Sequence, residues 1–339
     1  MHETSAGYRS FPSRRAGRSF AAVAAAALAL GLSACAGEPD PLEGIPSFPV
    51  DAARVRVVEA GEDPQVLAYR DEGSGSGSGS GGEAWETGVE VAGGIAQSVA
   101  DGAEDVDPIA PAGGDVMTTT LPLTVVVDAA GEPGEGEGVA ARAVSLTTRG
   151  GEHSELQLGL EVADNEGFIM RWRAADSGQV QTVKMLPPVD SPEAGREVVE
   201  RSLLQLMSTV VVFPSEPVGV GGSWTVESRV TGDATMLRTT TYTVASMDGD
   251  VVELDVDVEE RPTQASLRID NSAAGELDGQ SLNVASTSTT SDGRLTVDLT
   301  KPLPTAGRVA ATTRLVYEGD AAKFSVVQDV TSAVTFGKE

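Results

Sequence analysis

A strict alternation of apolar and acidic residues is the feature that most limits how this chain can fold. From Val252 to Glu259 every second residue is Val or Leu, and every residue between them is Asp or Glu. Successive side chains of a β-strand point to opposite faces, so a period of two predicts a strand with one buried and one solvated face. The same alternation occurs at 156–162 and 295–299, where we also expect strands.

Turn-forming residues separate the alternating segments. They include Asp176-Ser177-Gly178, Asp248-Gly249, Asp292-Gly293 and the segment 164–167. Each joins two strand-like segments, which is typical of β-hairpins. The sequence therefore predicts an antiparallel meander.

One helix is predicted at 192–209. Ser191 can cap it, and Pro192 suits the first helical position. Its apolar stripe has helical spacing and consists of Val199, Leu203, Leu206 and Met207. We therefore expect a mainly β (α+β) protein, in which a curved antiparallel meander sheet or half-barrel carries this one amphipathic helix on its concave face.

The first 34 residues have the organisation of an export signal. Several Arg residues precede an apolar run from Phe20 to Ala34, which is shorter than the about 20 residues that a membrane span requires. The run ends in Leu32, Ser33, Ala34 and Cys35.

This ending resembles the lipobox of bacterial lipoproteins. The resemblance implies that Cys35 carries diacylglycerol and that the signal is cut before it. The mature chain would then be lipid-anchored at the extracytoplasmic face of the cell membrane. The alternative is that Cys35 is a buried structural thiol.

Composition divides the rest of the chain. Residues 35–52 predict a flexible tether with Cys35 at its start. Residues 53–142 predict peripheral strands interrupted by disordered Gly/Ser and Gly/Glu loops at 73–82 and 131–138. Residues 143–337 predict the main antiparallel domain. The sequence leaves open whether 53–142 joins the main sheet or forms a separate lobe.

Charge and residue counts exclude several function classes. The chain has 24 Lys+Arg against 51 Asp+Glu and a net charge of -27, so we expect no nucleic-acid partner. One Cys and two His are too few for a Cys/His zinc site. His153 lies between Glu152 and Ser154, but adjacent strand residues point to opposite faces and cannot act in series as a triad. We therefore predict no catalytic residues, metal or cofactor.

Residues 213–224 read Phe-Pro-Ser-Glu-Pro-Val-Gly-Val-Gly-Gly-Ser-Trp. Here the chain resembles a family of uncharacterised actinobacterial lipoproteins, known only as a domain of unknown function, over Val50 to Phe336. The resemblance implies export and anchoring but no activity. The overall pattern is also similar to half-barrel lipid carriers of bacterial envelopes. Trp224 could form the lip of a pocket or anchor a structural corner in the core.

Two functions follow from these observations. The first is a non-catalytic accessory or interaction module of the cell envelope, whose partner is a surface protein. The alternative is a carrier that holds a lipid or another apolar molecule in a half-barrel cavity of at least about 300 Å³. The residues expected to line that cavity are Val199, Leu203, Leu206, Met207, Leu156, Leu158, Leu160, Trp224, Leu254 and Val256.

Overall fold

The structure is a computed structural model that describes residues 40–71, 83–101, 106–134, 137–230, 236–264, 266–268, 281–319 and 324–338. The chain divides into two compact units, residues 1–43 and 44–339. In the first unit, residues 40–43 form a turn in which the Glu43 N–H donates to the Asp40 carbonyl at 2.9 Å. The predicted export signal, Cys35 and the Gly/Ser loop at 73–82 lie outside the described residues.

All the strands and helices that the structure describes belong to the second unit. They are β1 (Phe48–Pro49), β2 (Arg54–Glu59), β3 (Glu62–Gln65), β4 (Trp85–Asp101), β5 (Met117–Ala129), β6 (Arg142–Thr148), β7 (Glu152–His153), α1 (Leu156–Ala163), β8 (Ile169–Ala174), β9 (Val180–Leu186), α2 (Glu193–Met207), β10 (Val218–Val220), β11 (Ser223–Val230), β12 (Met236–Asp248), β13 (Val251–Pro262), β14 (Ser266–Arg268), β15 (Ser281–Asp298), β16 (Ala306–Glu318) and β17 (Phe324–Phe336).

The predicted mainly β fold with a curved antiparallel meander is confirmed. The large sheet follows the order β1-β9-β8-β6-β5-β4-β17-β16-β15-β13-β12-β11-β2 and does not close into a barrel. Strands β7 and β14 pair with β5 and β15, and β3 pairs with β10 in a small second sheet. Strand β13 has the predicted alternation, because Val252, Leu254, Val256 and Val258 are buried while the acidic residues between them are more exposed.

The two ends of the sheet lie close together in space. Strand β1 pairs with β9 at one end of the path, and β2 pairs with β11 at the other. Only residues 50–53 connect β1 to β2, and a fully extended link of that length reaches about 18 Å. The sheet must therefore curve strongly around its inner face, which we define as the face that α2 covers.

Residues 67–71 also bridge the open side of the sheet. The Tyr69 N–H donates to the Asp176 carbonyl at the β8–β9 turn, and the Arg70 N–H donates to the Leu299 carbonyl after β15. Next to them, Asp71 and Arg142 of β6 form a buried ion pair with 2.7 Å between Arg142 Nε and Asp71 Oδ2. These residues hold strands from the two halves of the sheet together.

One apolar core lies between the inner face and α2. Val199, Leu203 and Leu206 of α2 are at most 1% exposed and belong to one cluster with side chains from both halves of the sheet. Helix α2 is slightly shorter than predicted, and Ser191 does not cap it. The Ser191 hydroxyl donates instead to the Pro188 carbonyl at 3.0 Å.

The prediction of a strand at 156–162 is wrong, because these residues form α1. Leu156 and Leu160 are 83% and 61% exposed, so their alternation does not reflect a buried sheet face. Of the apolar residues in this segment, Val162 is buried. Leu, Gln and Glu are good helix formers, and Val162 is the one β-branched residue in this segment, which explains the outcome. The part of the chain that the structure describes thus contains two helices, whereas the sequence predicts only one.

Two further expectations are wrong. Asp292-Gly293 lies within β15 and forms no turn. Gly293 is needed there because a Cβ would lie 2.6 Å from the Val256 carbonyl oxygen of β13. Strands β4 and β5, predicted to be peripheral, lie in mid-sheet between β6 and β17. Strand β5 buries Leu121, Leu123, Val125 and Val127 on the inner face, which places it in the core.

Candidate functional site

A belt of polar side chains crosses the inner face just beyond the C-terminal end of α2. We call it the polar belt, and it consists of Arg238, Glu260, Thr289, Thr313 and Ser332. It separates the main core from a smaller apolar cluster of Met236, Leu282, Leu315, Tyr317 and Val326. The inner face therefore has two apolar regions with a charged layer between them.

The polar belt is connected by hydrogen bonds. Arg238 Nε donates to Glu260 Oε1 at 2.8 Å, and the Thr313 hydroxyl donates to Glu260 Oε2 at 2.8 Å. Thr313 is 3.0 Å from the hydroxyl of Thr289, which also accepts the Glu260 N–H at 3.0 Å. Arg238 Nη2 reaches Ser332 at 3.4 Å. Both oxygens of the buried carboxylate are therefore satisfied, which offsets the cost of removing it from water.

Side-chain hydroxyl groups in this region also accept main-chain hydrogen bonds that strand pairing would otherwise provide. Strands β13 and β15 pair from Val251 to Asp255. Beyond that point the Val258 N–H donates to the Ser291 hydroxyl at 2.9 Å, as the Glu260 N–H does to Thr289. The two strands separate here, and the Ser and Thr side chains bridge the gap.

The cavity beside the polar belt is small. It has a volume of about 10 Å³ and is lined by Gln205 and Thr209 at the end of α2, by Arg238 and Ser332, and by small apolar residues of β13, β16 and β17. This volume has room for about one water molecule. None of the ten residues predicted to line a ligand cavity lines it.

The structure brings seven of those ten residues together, as packed core. Val199, Leu203, Leu206, Trp224, Leu254 and Val256 are at most 3% exposed, and Met207 packs against them. Leu156, Leu158 and Leu160 lie on α1 and do not join this cluster. These three leucines lie on a helix and not on the strand that their alternation predicts.

Trp224 anchors a structural corner. It is fully buried, and its Nε1–H donates to the Val212 carbonyl at 2.9 Å. Its ring lies 5.9 Å from Phe213 and 5.2 Å from Tyr242, and Phe213 lies 5.3 Å from Tyr69. Burial raises the pKa values of Tyr69 and Tyr242 well above their ordinary range, so both rings stay neutral.

His153 takes part in a local turn. Its Nδ1 accepts the Glu155 N–H at 3.0 Å, while the Ser154 hydroxyl accepts the Thr118 N–H at 3.0 Å. Ser154 and His153 thus each bind backbone groups near them. This geometry has no nucleophile and base in series.

Past the polar belt and beside the smaller apolar cluster, the inner face is uncovered along the second half of β4. We call this part the distal face, formed by the exposed Ile95, Gln97 and Val99 of β4 with the partly exposed Gln328 and Val330 of β17. Ile95 lies opposite Val330, and Gln97 opposite Gln328. Ile95 and Val99 are 47% and 68% exposed, and Met117 at the adjoining start of β5 is 54% exposed. A run of exposed apolar side chains on one face is typical of a binding surface.

A family of unknown function, DUF6263, matches residues 195–303. The DUF6263 match begins in α2 and ends after β15, so it includes the segment 213–224 and the Arg238–Glu260 pair. It is shorter than the resemblance expected over Val50 to Phe336, and the distal face lies outside it. No curated protein matches the chain. Among the described residues, no helix is long and apolar enough to cross a membrane.

Sequence reasoning missed both the polar belt and the distal face. In β13 the even-numbered residues are apolar until Glu260, and in β12 Arg238 has the same phase as the buried Tyr242 and Val244. When two paired strands carry opposite charges at positions where the alternation would place buried apolar residues, the pattern predicts a buried ion pair. The signal for the distal face was an uncharged run from Val91 to Ala100 in a strongly acidic chain.

Proposed function

We propose that this protein is a lipid-anchored, extracytoplasmic lipoprotein that acts as a non-catalytic interaction module of the cell envelope. The proposal combines the export signal and the lipobox-like ending at Cys35 with the geometry of the folded unit. The distal face is the observation that carries the binding role. It is the part of the inner face where apolar side chains remain exposed next to a closed core.

A surface protein is the partner class that fits this geometry best. The distal face is open, and its apolar residues alternate with Gln97 and Gln328, which can donate and accept hydrogen bonds. Apolar contacts framed by neutral polar groups are typical of protein–protein interfaces. Between Val91 and Ala100, β4 contains no acidic residue, so this strand places no ionised carboxylate in the proposed contact.

The carrier of a lipid or other apolar molecule is the second candidate. The same exposed apolar side chains favour it, since they could cover an acyl chain. The cavity of about 10 Å³ under α2 does not favour it, because an enclosed lipid needs roughly 300 Å³ or more. A carrier would therefore have to hold its ligand on the distal face.

Photo-crosslinking in the native envelope tests both candidates. A photoreactive side chain replaces Met117, which is exposed beside the distal face, or Asp257, an exposed residue of β13, as the matched control. We expect a protein-sized adduct at Met117 and none at Asp257. A lipid-sized adduct at Met117 would select the carrier, and equal adducts at both positions or none at either would overturn both.

Anchoring has a separate test. The full chain is expressed in a host that lipidates exported proteins and is then partitioned between detergent and water. We expect the unaltered chain in the detergent phase and Cys35→Ala in the aqueous phase. A Cys35→Ala chain that stays in the detergent phase would show that Cys35 is not the anchor.

A further inference from the structure

The second half of β4 is a sheet edge. Strand β17 pairs with β4 along its length from Val89 to Asp101, whereas β5 pairs with it only from Trp85 to Gly93. In the part of the chain that the structure describes, no strand pairs with the other side of β4 beyond Gly93. Residues 95–99 are all exposed. Their backbone groups on that side are therefore available to another strand.

This edge lacks the features that protect most sheet edges from pairing. Residues 91–100 read Val-Ala-Gly-Gly-Ile-Ala-Gln-Ser-Val-Ala and contain no charge and no Pro. The β4–β17 register runs without a bulge. Asp115 and Val116 pack over the backbone at Gly94 but leave residues 95–99 exposed. Natural proteins block exposed edges with charges, Pro or bulges, so an unblocked one indicates use in association.

We propose that a second copy of this chain pairs antiparallel with residues 95–99, with a two-fold axis at Gln97. In this register Ile95 lies opposite Val99 of the second copy on the inner face, and Ala96 lies opposite Ser98 on the outer face. Cross-strand pairs of branched apolar residues stabilise a sheet. A two-fold axis uses the same patch on both copies, as in most homodimers.

Electrostatic repulsion between two copies of this acidic chain is weaker at this uncharged edge than at a charged one. Two copies that each carry a net charge of -27 repel, and the repulsion is smallest where neither contributes an ionised side chain. In this register Asp101 comes opposite Gly93, and Asp115 packs at Gly94, so both acidic residues lie just outside the paired residues 95–99. The pairing also joins two distal faces into one apolar surface on a continuous sheet. The inference does not depend on the lipid anchor or on the proposed partner.

Sedimentation velocity of residues 36–339 tests the pairing. This part contains the whole compact unit Gly44–Glu339, and it excludes Cys35, the one cysteine. We expect a concentration-dependent dimer whose dissociation constant rises at least about tenfold in Val99→Lys and in Ile95→Glu. Mixing the two variants should restore dimers, since the introduced Lys then faces the introduced Glu.

Cysteine crosslinking tests the register. Under oxidation Gln97→Cys should form a disulfide across the axis, because the two introduced side chains lie directly opposite each other. Ser98→Cys is the matched control and should not, because it lies opposite Ala96. A monomer at every concentration, a dimer unaffected by Val99→Lys, or equal crosslinking of both cysteine variants would overturn the proposal. At a concentration where both proteins are monomeric, unchanged thermal unfolding of Val99→Lys excludes misfolding as the cause.

Discussion

Arg238 and Glu260 lie directly opposite each other on β12 and β13, with Arg238 Nε and Nη2 2.8 and 2.7 Å from the same carboxylate oxygen. Their side chains are 10% and 6% exposed. The pair lies where two apolar clusters would otherwise merge, so it fixes which strand positions face each other in this hairpin.

Breaking this pair should destabilise the fold strongly. Removing one partner leaves a buried charge without compensation, which costs about 3–5 kcal/mol. We expect Arg238→Met and Glu260→Leu each to lower the free energy of unfolding by that amount. The double variant should recover most of the loss. Urea unfolding measures all three, and a double variant as unstable as the sum would show that the two residues are not coupled.

The corner at Trp224 should tolerate truncation poorly. Trp224→Phe removes the hydrogen bond to Val212 and leaves that carbonyl without its partner, which costs about 1–3 kcal/mol. Trp224→Ala adds a cavity and should cost about 3–5 kcal/mol. Denaturant unfolding measures both. The control is Trp85→Phe, whose partly buried ring should matter less.

The crossing of the two helices depends on Gly195. A Cβ there would overlap the Glu161 carbonyl of α1, and the Gly195 N–H donates to Glu161 Oε2 at 3.3 Å. Gly195→Ala should therefore cost about 1–3 kcal/mol through overpacking. Gly159→Ala in α1 is the control. Its Cβ would meet nothing closer than 3.4 Å, so it should stabilise the helix by about 0.5–1 kcal/mol. Thermal unfolding separates the two outcomes.

Glu137 should make stability depend on pH in the acid range. Burial alone would raise the pKa of this carboxyl, but the Gly134 N–H and the cations of Lys184 and Arg173 outweigh it and hold the pKa below its ordinary value of 4.5. As the pH falls, the Glu137 carboxyl is therefore protonated in the unfolded chain before it is protonated in the folded chain. The stability that Glu137 contributes is present above pH 4.5 and is lost as pH falls through the folded-state pKa.

Urea unfolding over a pH series measures this contribution. The difference in unfolding free energy between the unaltered chain and Glu137→Gln should be largest near neutral pH and shrink toward about pH 3. A difference that stays constant over the series would show that Glu137 titrates alike in both states.

Local patterns predicted much of the sheet but not its edges. The alternation in β13 could be predicted from the local sequence, because successive side chains of a strand point to opposite faces of the sheet. In α1 the alternation misled, since Leu156 and Leu160 have a spacing that also fits a helix face exposed to solvent. The polar belt depends on which strands become neighbours. The free edge of β4 arises because β5 begins opposite Gly93, and no local pattern encodes where a partner strand stops.

The two strands that bring the ends of the sheet together, β1 and β2, precede all other described strands in the chain and are synthesised before them. Strand β1 must find Val183 and Thr182 of β9, and β2 must find β11, so neither can pair until much later parts of the chain are available. Contacts between distant residues form slowly, because chain entropy is lost before they stabilise anything. We therefore expect residues 48–59 to become protected last in pulsed hydrogen exchange during refolding. Docking of these two strands would complete folding of the unit.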